Sequence, residues 1–237
     1  MSTILQTDNL VKEFDGVVAT DNLNYEMEKG DIECVIGPNG AGKTTFFNLI
    51  TGAIKPDSGT VYFDGDDITG QSINEIARRG MVRKYQTPSV YNEMSVRRNI
   101  RIAFGEDKPP NADERLTELL DLIGLTERVD ETAGKLDHGT KQWLEIGMVL
   151  ANDPQLILLD EPTAGMTTEE TMKTADLITS INDAEGVSII AIEHDIEFVR
   201  QLSSTVTVLH QGSVLAQGSV EDIESNEEVQ NVYLGSG

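Results

Sequence analysis

The stretch GPNGAGKTT, residues 37–45, constrains this chain more than any other feature. It follows a short apolar run and precedes a second apolar segment, an arrangement that predicts a strand, a glycine-rich turn and a helix. Gly37, Gly40 and Gly42 permit backbone conformations that turn successive N–H groups inward, toward an anion. The start of the following helix directs its positive end to the same place. The stretch therefore predicts a phosphate-binding loop.

Two side chains of this loop have chemistry suited to a nucleoside triphosphate. Lys43 can reach the terminal phosphates as a point charge, and Thr44 offers a hydroxyl ligand to Mg²⁺. The bland alternative is a strand–turn–helix with an incidental Gly-Lys-Thr. On the nucleotide interpretation, the binding residues are Gly37, Pro38, Asn39, Gly40, Ala41, Gly42, Lys43, Thr44 and Thr45.

Composition and length narrow the class of protein further. The 237 residues suffice for one domain with a large core, with or without a sizeable insertion. No apolar run approaches the roughly 20 residues needed to span a bilayer, and the start of the chain lacks a signal-peptide core, so we expect a cytoplasmic protein. Cys34 is the only cysteine, which excludes a disulfide within the chain.

The charge is strongly acidic, with 41 Asp and Glu against 18 Lys and Arg and a formal net charge of −23. The acids are spread along the chain, and such a charge repels nucleic acid, so we expect no nucleic-acid partner. Our hypothesis is a halophile-like surface suited to a salt-rich cytosol, where screening offsets self-repulsion. Unfolding in several-molar KCl, with stability in dilute buffer, would contradict it.

The order of periodic segments predicts an α/β fold. Residues 4–28 alternate like antiparallel strands, with a turn at Asp15-Gly16. Residues 96–132 have helical periodicity, which places Leu116, Leu119, Leu120 and Ile123 on one face and predicts a helical insertion. Helical patterning resumes over 140–150, and a small polar helix near Val220 is expected to close the chain.

Two short apolar runs end in polar side chains. Leu156 to Leu159 is followed by Asp160 and Glu161, and Ser188 to Ile192 by Glu193 and His194. Their composition predicts strands buried on both faces of a parallel sheet. Such sheets bind ligands at the carboxyl ends of their strands.

Seven basic residues cluster within residues 78–101 of this acidic chain. The cluster is either a chance grouping on a solvated face or a docking surface for an anionic partner or membrane face. Its members are Arg78, Arg79, Arg83, Lys84, Arg97, Arg98 and Arg101.

Five features share the order and spacing of one known family: residues 37–45, 136–142 and 156–161, together with Gln86 and His194. Together they resemble the ATPase subunit of ABC transporters over essentially the whole chain. The resemblance implies ATP and Mg²⁺ as cofactors. It also implies a P-loop core with a mostly parallel sheet, an N-terminal antiparallel β part and a helical subdomain that carries the family signature. The implied bounds are about 1–95 and 150–237 for the core and about 96–150 for the helical subdomain.

The same resemblance implies individual roles. Asp160 should hold Mg²⁺ through its water alongside Thr44, and Glu161 should polarise the attacking water as general base. Gln86 should sense Mg²⁺ or that water, and His194 should contact the γ-phosphate and hold Glu161. Phe14 fills the adenine-stacking position, although an ordinary edge-of-core Phe was the simpler interpretation from sequence alone.

Residues 136–142, LDHGTKQ, occupy the family signature usually written LSGGQ but depart from it. Gly139 matches, whereas Asp137 replaces serine, His138 glycine and Thr140 glutamine. In the family this segment faces the γ-phosphate of ATP held by the partner subunit, so the resemblance implies that Asp137 and Gly139 bind nucleotide there. A carboxylate aimed at that phosphate would repel it. Either Asp137 turns away to cap the helix, or this segment contributes less to hydrolysis.

Four segments narrow the resemblance to importers of branched-chain amino acids and, more closely, to the urea-type ATPase subunit of that group. They are residues 138–147, 164–167, 193–199 and 232–235. The implied partners are transmembrane permease subunits, a second ATPase subunit in a homo- or heterodimer and, indirectly, a solute-binding protein. The implied location is the cytoplasmic face of the cell membrane. The rivals are an exporter ATPase and a soluble ABC-type ATPase of DNA repair, whose long coiled-coil insertion this chain lacks.

Overall fold

The computed structural model describes residues 2–84, 89–105, 109–203 and 205–234. The strands of this part of the chain are β1 Thr3–Phe14, β2 Val17–Glu28, β3 Ile32–Ile36, β4 Ser58–Phe63, β5 Asp66–Asp67, β6 Met81–Lys84, β7 Leu156–Asp160, β8 Ser188–Ile192, β9 Thr205–His210 and β10 Ser213–Gly218. The helices are α1 Lys43–Ile50, α2 Ile73–Arg78, α3 Val96–Ala103, α4 Ala112–Leu122, α5 His138–Leu150, α6 Thr168–Glu185, α7 Ile196–Leu202, α8 Val220–Ser225 and α9 Glu227–Leu234.

The larger sheet has the order β10-β9-β3-β8-β7-β6. Neighbouring strands from β9 to β6 pair in parallel, and only β10 is antiparallel to its neighbour β9. The predicted mostly parallel sheet is therefore confirmed. Because these strands run in one direction, the segments that follow β3, β8, β7 and β6 leave from the same edge of the sheet.

The smaller sheet has the order β2-β1-β4-β5 and is antiparallel throughout. The hairpin of β1 and β2 turns at Asp15 and Gly16, as predicted, and pairs Phe14 with Val17. Both turn residues have positive φ, 48° for Asp15 and 87° for Gly16, which matches the preference of Asp and Gly for tight hairpin turns.

Apolar residues fill both sides of the parallel sheet. Along β7, Ile157 and Leu159 face a core built with α3 to α7, whereas Leu156 and Leu158 face a second core that contains α1 and the smaller sheet. Alternation of this kind is what a strand buried on both faces requires. Helix α1 is therefore packed between the two sheets, and it begins where β3 ends.

The helical segment between β6 and β7 joins the first of these cores. Leu116, Leu119, Leu120 and Ile123 are all buried in it, which confirms the predicted helical face. The segment comprises α3, α4 and α5 together with short 3-10 turns at Thr126–Arg128 and Ala133–Lys135. Within the described ranges, no helix combines the length and apolar character needed to cross a bilayer.

Two expectations from the sequence are wrong in detail. The polar helix near Val220 is present as α8, but α9 follows it, with Val229 buried in the core. The seven basic residues do not share one surface, because Arg83 and Lys84 are buried with side-chain exposures of 5% and 0%. Of the exposed ones, three pair with nearby acids: Arg79 with Asp66, Arg97 with Asp130 and Arg101 with Asp113.

Glu33 is a buried acid near the start of β3, away from the carboxyl edge, which is the edge of the sheet where the parallel strands end. Glu33 is 3% exposed, and the Tyr25 hydroxyl donates a 2.8 Å hydrogen bond to its Oε2. Burial raises the pKa of Glu33 from 4.5 to about 7, although the hydrogen bonds from Tyr25 and Gln217 oppose this rise. The folded protein therefore binds this proton more tightly than the unfolded chain does.

Replacing Glu33 by Gln should change how stability depends on pH. The contribution of a raised carboxyl pKa is fully present below about pH 4.5 and is lost as the pH rises through about 7. Relative to the parent, Glu33→Gln should thus gain up to about 3 kcal/mol of unfolding free energy between these limits. Urea unfolding at several pH values measures this difference, with exposed Glu28→Gln as control. Parallel curves for the parent and Glu33→Gln would contradict it.

Candidate functional site

The predicted phosphate-binding loop joins β3 to α1, as expected. Gly37, Gly40 and Gly42 all adopt positive φ, at 152°, 80° and 105°. A Cβ at position 37 would lie 2.3 Å from the carbonyl oxygen of Leu209, so that position requires glycine for space as well. At Gly40 the space beyond the Cα is open within 4 Å. The loop is therefore held against the sheet on one side and open on the other.

The hairpin of the smaller sheet reaches the same loop. A Cβ at Gly42 would lie 2.5 Å from the carbonyl oxygen of Ala19 on β2. Phe14, at the other side of the hairpin, has 44% of its surface exposed, and Lys12 Nζ lies 5.4 Å from its ring centroid. The structure therefore places an exposed aromatic ring on the hairpin that packs against the phosphate-binding loop.

Lys43 is the first residue of α1, and its ammonium group turns back onto the loop. Its Nζ donates hydrogen bonds to the carbonyl oxygens of Gly37, at 2.6 Å, and Pro38, at 3.1 Å. Burial lowers the pKa of Lys43, while the negative charges of Glu161 and Asp160 act against this shift. The charge of Lys43 thus lies among the loop carbonyls, in the field of the two carboxylates that end β7.

The polar residues after β7 and β8 meet at the carboxyl edge. The two strands are neighbours, with Asp160 opposite Ile192, and β3 pairs with the other side of β8. His194 Nε2 lies 3.0 Å from Glu161 Oε1, and both side chains are partly exposed, at 43% and 31%. The structure therefore brings together the two residues that the sequence predicted to act as a pair, beside the loop that begins after β3.

Glu161 has an unusual backbone. Its φ of +46° lies in the left-handed region, which a residue with a long side chain rarely occupies. Its N–H donates a 3.0 Å hydrogen bond to the carbonyl oxygen of Ile192, which holds it against β8. This turn directs the chain away from the sheet immediately after Asp160 and exposes the Glu161 carboxylate at the edge.

Glu193 fixes the segment that follows Glu161. It is 3% exposed, and its Oε1 accepts hydrogen bonds from the backbone N–H and the hydroxyl of Thr163, at 3.0 and 2.7 Å. Burial raises the pKa of Glu193, and the Thr163 bonds oppose this shift. No role is predicted for Glu193 from the sequence, yet its carboxylate ties Thr163 to the segment that carries His194.

Asp160 forms an ion pair that the sequence did not reveal. Arg83 Nη2 on β6 lies 2.5 Å from Asp160 Oδ2, and Arg83 Nη1 donates a 2.6 Å hydrogen bond to Asn48 Oδ1 on α1. The Arg83 guanidinium also lies over the ring of Phe47, at 5.4 Å. The sequence signal was the Arg83-Lys84 pair in the strand-like run 81–85, because a cation buried there must find an opposite charge inside the protein.

The next residue of β6 is a second buried cation. Lys84 Nζ lies 3.4 Å from Glu145 Oε2 on α5, and Glu145 Oε1 accepts a 2.9 Å hydrogen bond from the N–H of Ser89. Burial lowers the pKa of Lys84 and raises that of Glu145, and the attraction within the pair opposes both shifts. Gln86, between residues 84 and 89, lies outside the described residues, so its predicted role stays a prediction.

The signature-like segment opens α5 with Asp137 as the N-cap. Asp137 Oδ1 accepts a 2.8 Å hydrogen bond from the N–H of Thr140, and Oδ2 accepts one from the Thr140 hydroxyl at 2.8 Å. Arg128 Nη1 lies 3.5 Å from the same Oδ2. Burial acts to raise the pKa of Asp137, but these hydrogen bonds outweigh it, so that its pKa is lowered. Asp137 therefore caps the helix, which is the first of the two alternatives considered for it.

The two residues after Asp137 face the segment that follows β7. His138 Nε2 lies 3.1 Å from the carbonyl oxygen of Ala164. Gly139 is buried, and a Cβ there would come within 3.3 Å of the Glu170 carboxylate on α6. Asp137 is thus bound to Thr140 of its own helix and to Arg128, and Gly139 lies beside Glu170 of α6.

The oxygen donors at the carboxyl edge fit Mg²⁺ delivered with a nucleotide. Thr44 supplies an exposed hydroxyl and Asp160 a partly exposed carboxylate, and both are hard oxygen ligands. Among the residues that the structure describes, no three His, Cys, Asp or Glu side chains could hold a metal ion by themselves. This matches the habit of Mg²⁺, which binds through one or two protein ligands together with substrate phosphates.

Comparison with known proteins agrees with this geometry. The sequence pattern of the ABC transporter family matches residues 20–164. The branched-chain amino acid transport ATP-binding protein BraF of Pseudomonas aeruginosa is 34% identical, with 98% of both chains covered. The probable branched-chain amino acid transport ATP-binding protein LivG of Archaeoglobus fulgidus is 36% identical, with 98% of this chain and 96% of LivG covered.

The solved structures lead to the same result for the fold. The ADP-bound conformation of an ATP-binding cassette from an ABC transporter superposes with a TM-score of 0.88 and 31% identity, covering 99% of this chain and all of the other. The chain belongs to the ABC transporter family and is an ATPase of that family. The fold expected from the sequence, with its P-loop core and antiparallel N-terminal sheet, is confirmed.

Substitutions of Asp137 should separate the helix cap from any effect on phosphate. Serine caps a helix about as well as aspartate, whereas alanine cannot, so Asp137→Ser should keep the parent's unfolding free energy and Asp137→Ala should lose about 1 kcal/mol. Thermal or urea unfolding measures both variants. ATP hydrolysis is measured in parallel, and a faster Asp137→Ser enzyme would show that the carboxylate repels phosphate in spite of its cap.

Proposed function

We propose that this chain hydrolyses ATP to drive an ABC importer, with Glu161 as the general base. The observation that carries this is the 3.0 Å contact between His194 and Glu161 at the edge where the phosphate-binding loop begins. In this proposal the Glu161 carboxylate takes a proton from the attacking water, and His194 orients Glu161 and contacts the γ-phosphate. The Glu161 side chain is partly exposed, so water can reach its carboxylate.

Binding and charge neutralisation fall to the phosphate-binding loop. Lys43 and the loop N–H groups stabilise the phosphate oxygens, and Phe14 stacks on the adenine ring. Thr44 and Asp160 are the residues that would hold Mg²⁺, with Gln86 as a further contact. When bound, Mg²⁺ supplies neutralisation of the charge that develops on the transferred phosphoryl group.

The proposed division of the chain follows the same roles. Residues of about 1–95 and 150–237 form the nucleotide-binding core with its antiparallel β part. Residues of about 96–150 form the helical subdomain, which presents Asp137 and Gly139 to the nucleotide of a second ATPase subunit. At the start of α5, Asp137 and His138 are exposed, and the Asp137 carboxylate is bound to Thr140 and Arg128.

The partners in this proposal are transmembrane permease subunits on the cytoplasmic face of the membrane. The relatives named for branched-chain amino acid transport favour an amino acid as the solute. Urea is the second candidate, because residues 138–147 resemble the urea-type subunit of the same group. The ATPase does not contact the solute in either case, so the neighbouring subunits decide between them.

Removing the base should separate hydrolysis from binding. Glu161→Gln should bind ATP as the parent does, while its hydrolysis falls by roughly 10²- to 10⁴-fold, since the amide cannot accept the proton. Lys43→Ala should lose nucleotide affinity instead. Phosphate release and ATP titration measure the two effects, with Glu169→Gln on the exposed face of α6 as control. Parent-like hydrolysis by Glu161→Gln, with tight ATP binding by Lys43→Ala, would end this proposal.

Isolation of the tagged chain from its own membranes should identify its partners. We expect hydrophobic permease subunits to copurify, together with a solute-binding protein when solute is present. Once these subunits are placed in vesicles, ATP-dependent uptake of labelled leucine and of labelled urea distinguishes the two solutes. Outward transport by the same vesicles, or recovery of the chain without membrane partners, would contradict an importer.

A further inference from the structure

We propose that Arg83 is a positioning residue that fixes the spacing between helix α1 and Asp160, and so sets the affinity for Mg²⁺ bound with the nucleotide. The inference rests on the proposed function, in which Thr44 and Asp160 hold that metal. Arg83 itself lies on β6 and contacts neither nucleotide nor metal in this proposal. It acts through the two elements that it connects.

The guanidinium of Arg83 makes a hydrogen bond to each of these elements. Nη2 lies 2.5 Å from Asp160 Oδ2 at the end of β7, and Nη1 donates a 2.6 Å hydrogen bond to Asn48 Oδ1 on α1. The ring of Phe47, also on α1, lies 5.4 Å from the guanidinium carbon. The Arg83 side chain is 5% exposed, so these contacts form away from competing water.

The position of Asn48 makes the connection relevant to the metal. It follows Thr44 by four residues on α1, which places the two side chains about one turn apart on the same face of the helix. Arg83 therefore bridges the helix that carries one proposed metal ligand and the strand that carries the other. A shift of either element would break a short hydrogen bond in a buried site, and that resists the shift.

The contact leaves part of the Asp160 carboxylate available. In the described part of the chain, Arg83 is paired with Oδ2, and no hydrogen bond or ion pair of Oδ1 is present. A carboxylate can hold the guanidinium by one oxygen and a metal-bound water by the other. Partners of this kind orient the ligands of metal sites, and their removal typically costs roughly 10- to 100-fold in metal affinity.

Charge alone predicts the opposite effect. A cation next to a metal site repels Mg²⁺, so removing it would tighten metal binding if repulsion were its main influence. Lysine separates the two possibilities, because it keeps the charge but lacks the planar fork that spans two acceptors. Asn48→Ala removes one arm of the bridge and leaves the charge unchanged.

The test measures how Mg²⁺ strengthens binding of ADP, which requires no turnover. For the parent, Arg83→Lys and Asn48→Ala, calorimetry gives the Kd of ADP in EDTA and across a Mg²⁺ titration. Both variants should need more Mg²⁺ for half-saturation, by roughly 10- to 100-fold for Arg83→Lys and less for Asn48→Ala. Their ADP affinity in EDTA should match the parent. Arg79→Lys, in the exposed pair with Asp66, is the matched control and should behave as the parent.

Three results would overturn the inference. Half-saturation at the parent's Mg²⁺ concentration, or at a lower one, in both variants would exclude a positioning role. If Arg83→Lys fails to fold or loses ADP affinity in EDTA, Asn48→Ala decides alone, and a parent-like Mg²⁺ dependence there overturns the inference. If Mg²⁺ fails to strengthen ADP binding even in the parent, the proposed metal site itself is wrong, which is a distinguishable failure of the proposed function.

Discussion

Parallel hydrogen bonding between β3, β8, β7 and β6 is the constraint on which the rest of the site depends. These strands come from widely separated parts of the chain, yet their pairing makes them end at one edge. The phosphate-binding loop, the Asp160–Glu161 pair and His194 therefore lie within a few strand spacings of each other. Apart from Glu33 on β3 and the two cations of β6, the charged residues of these short strands lie where the strands stop.

Strand β6 carries two adjacent cations inside the protein. Successive side chains of a strand point to opposite faces, so Arg83 is directed toward α1 and Lys84 toward α5. Each cation meets an acid there, Asp160 on one side and Glu145 on the other. Loss of one member of such a pair leaves an uncompensated buried charge, at a cost of about 3–5 kcal/mol. On one face β6 contacts Asp160 and α1 through Arg83, and on the other face it contacts α5 through Lys84.

Much of this arrangement could be predicted from the sequence, since its determinants are local. The glycine-rich loop, the hairpin turn at Asp15 and the apolar strands that end at Asp160 and His194 each carry a short-range signal. The partners of Arg83 and Lys84 could not be predicted, because an ion pair between distant segments depends on strand order, which periodicity does not encode. For the same reason, the sequence did not show that Arg83 and Lys84 of the basic cluster are buried. The burial of Glu193 and Glu145 could not be predicted either, since a buried acid and a solvated one look alike in sequence.

The left-handed backbone of Glu161 has a consequence for how this protein can change. Glycine or asparagine would adopt a φ of +46° with less strain, and strain at such a position is worth about 1–3 kcal/mol. Random mutagenesis followed by selection for thermal stability should thus enrich glycine or asparagine at position 161. Variants recovered in that way would be more stable but would lack the general base proposed at this position. On the proposed role of Glu161, stability and turnover are therefore opposed at this residue.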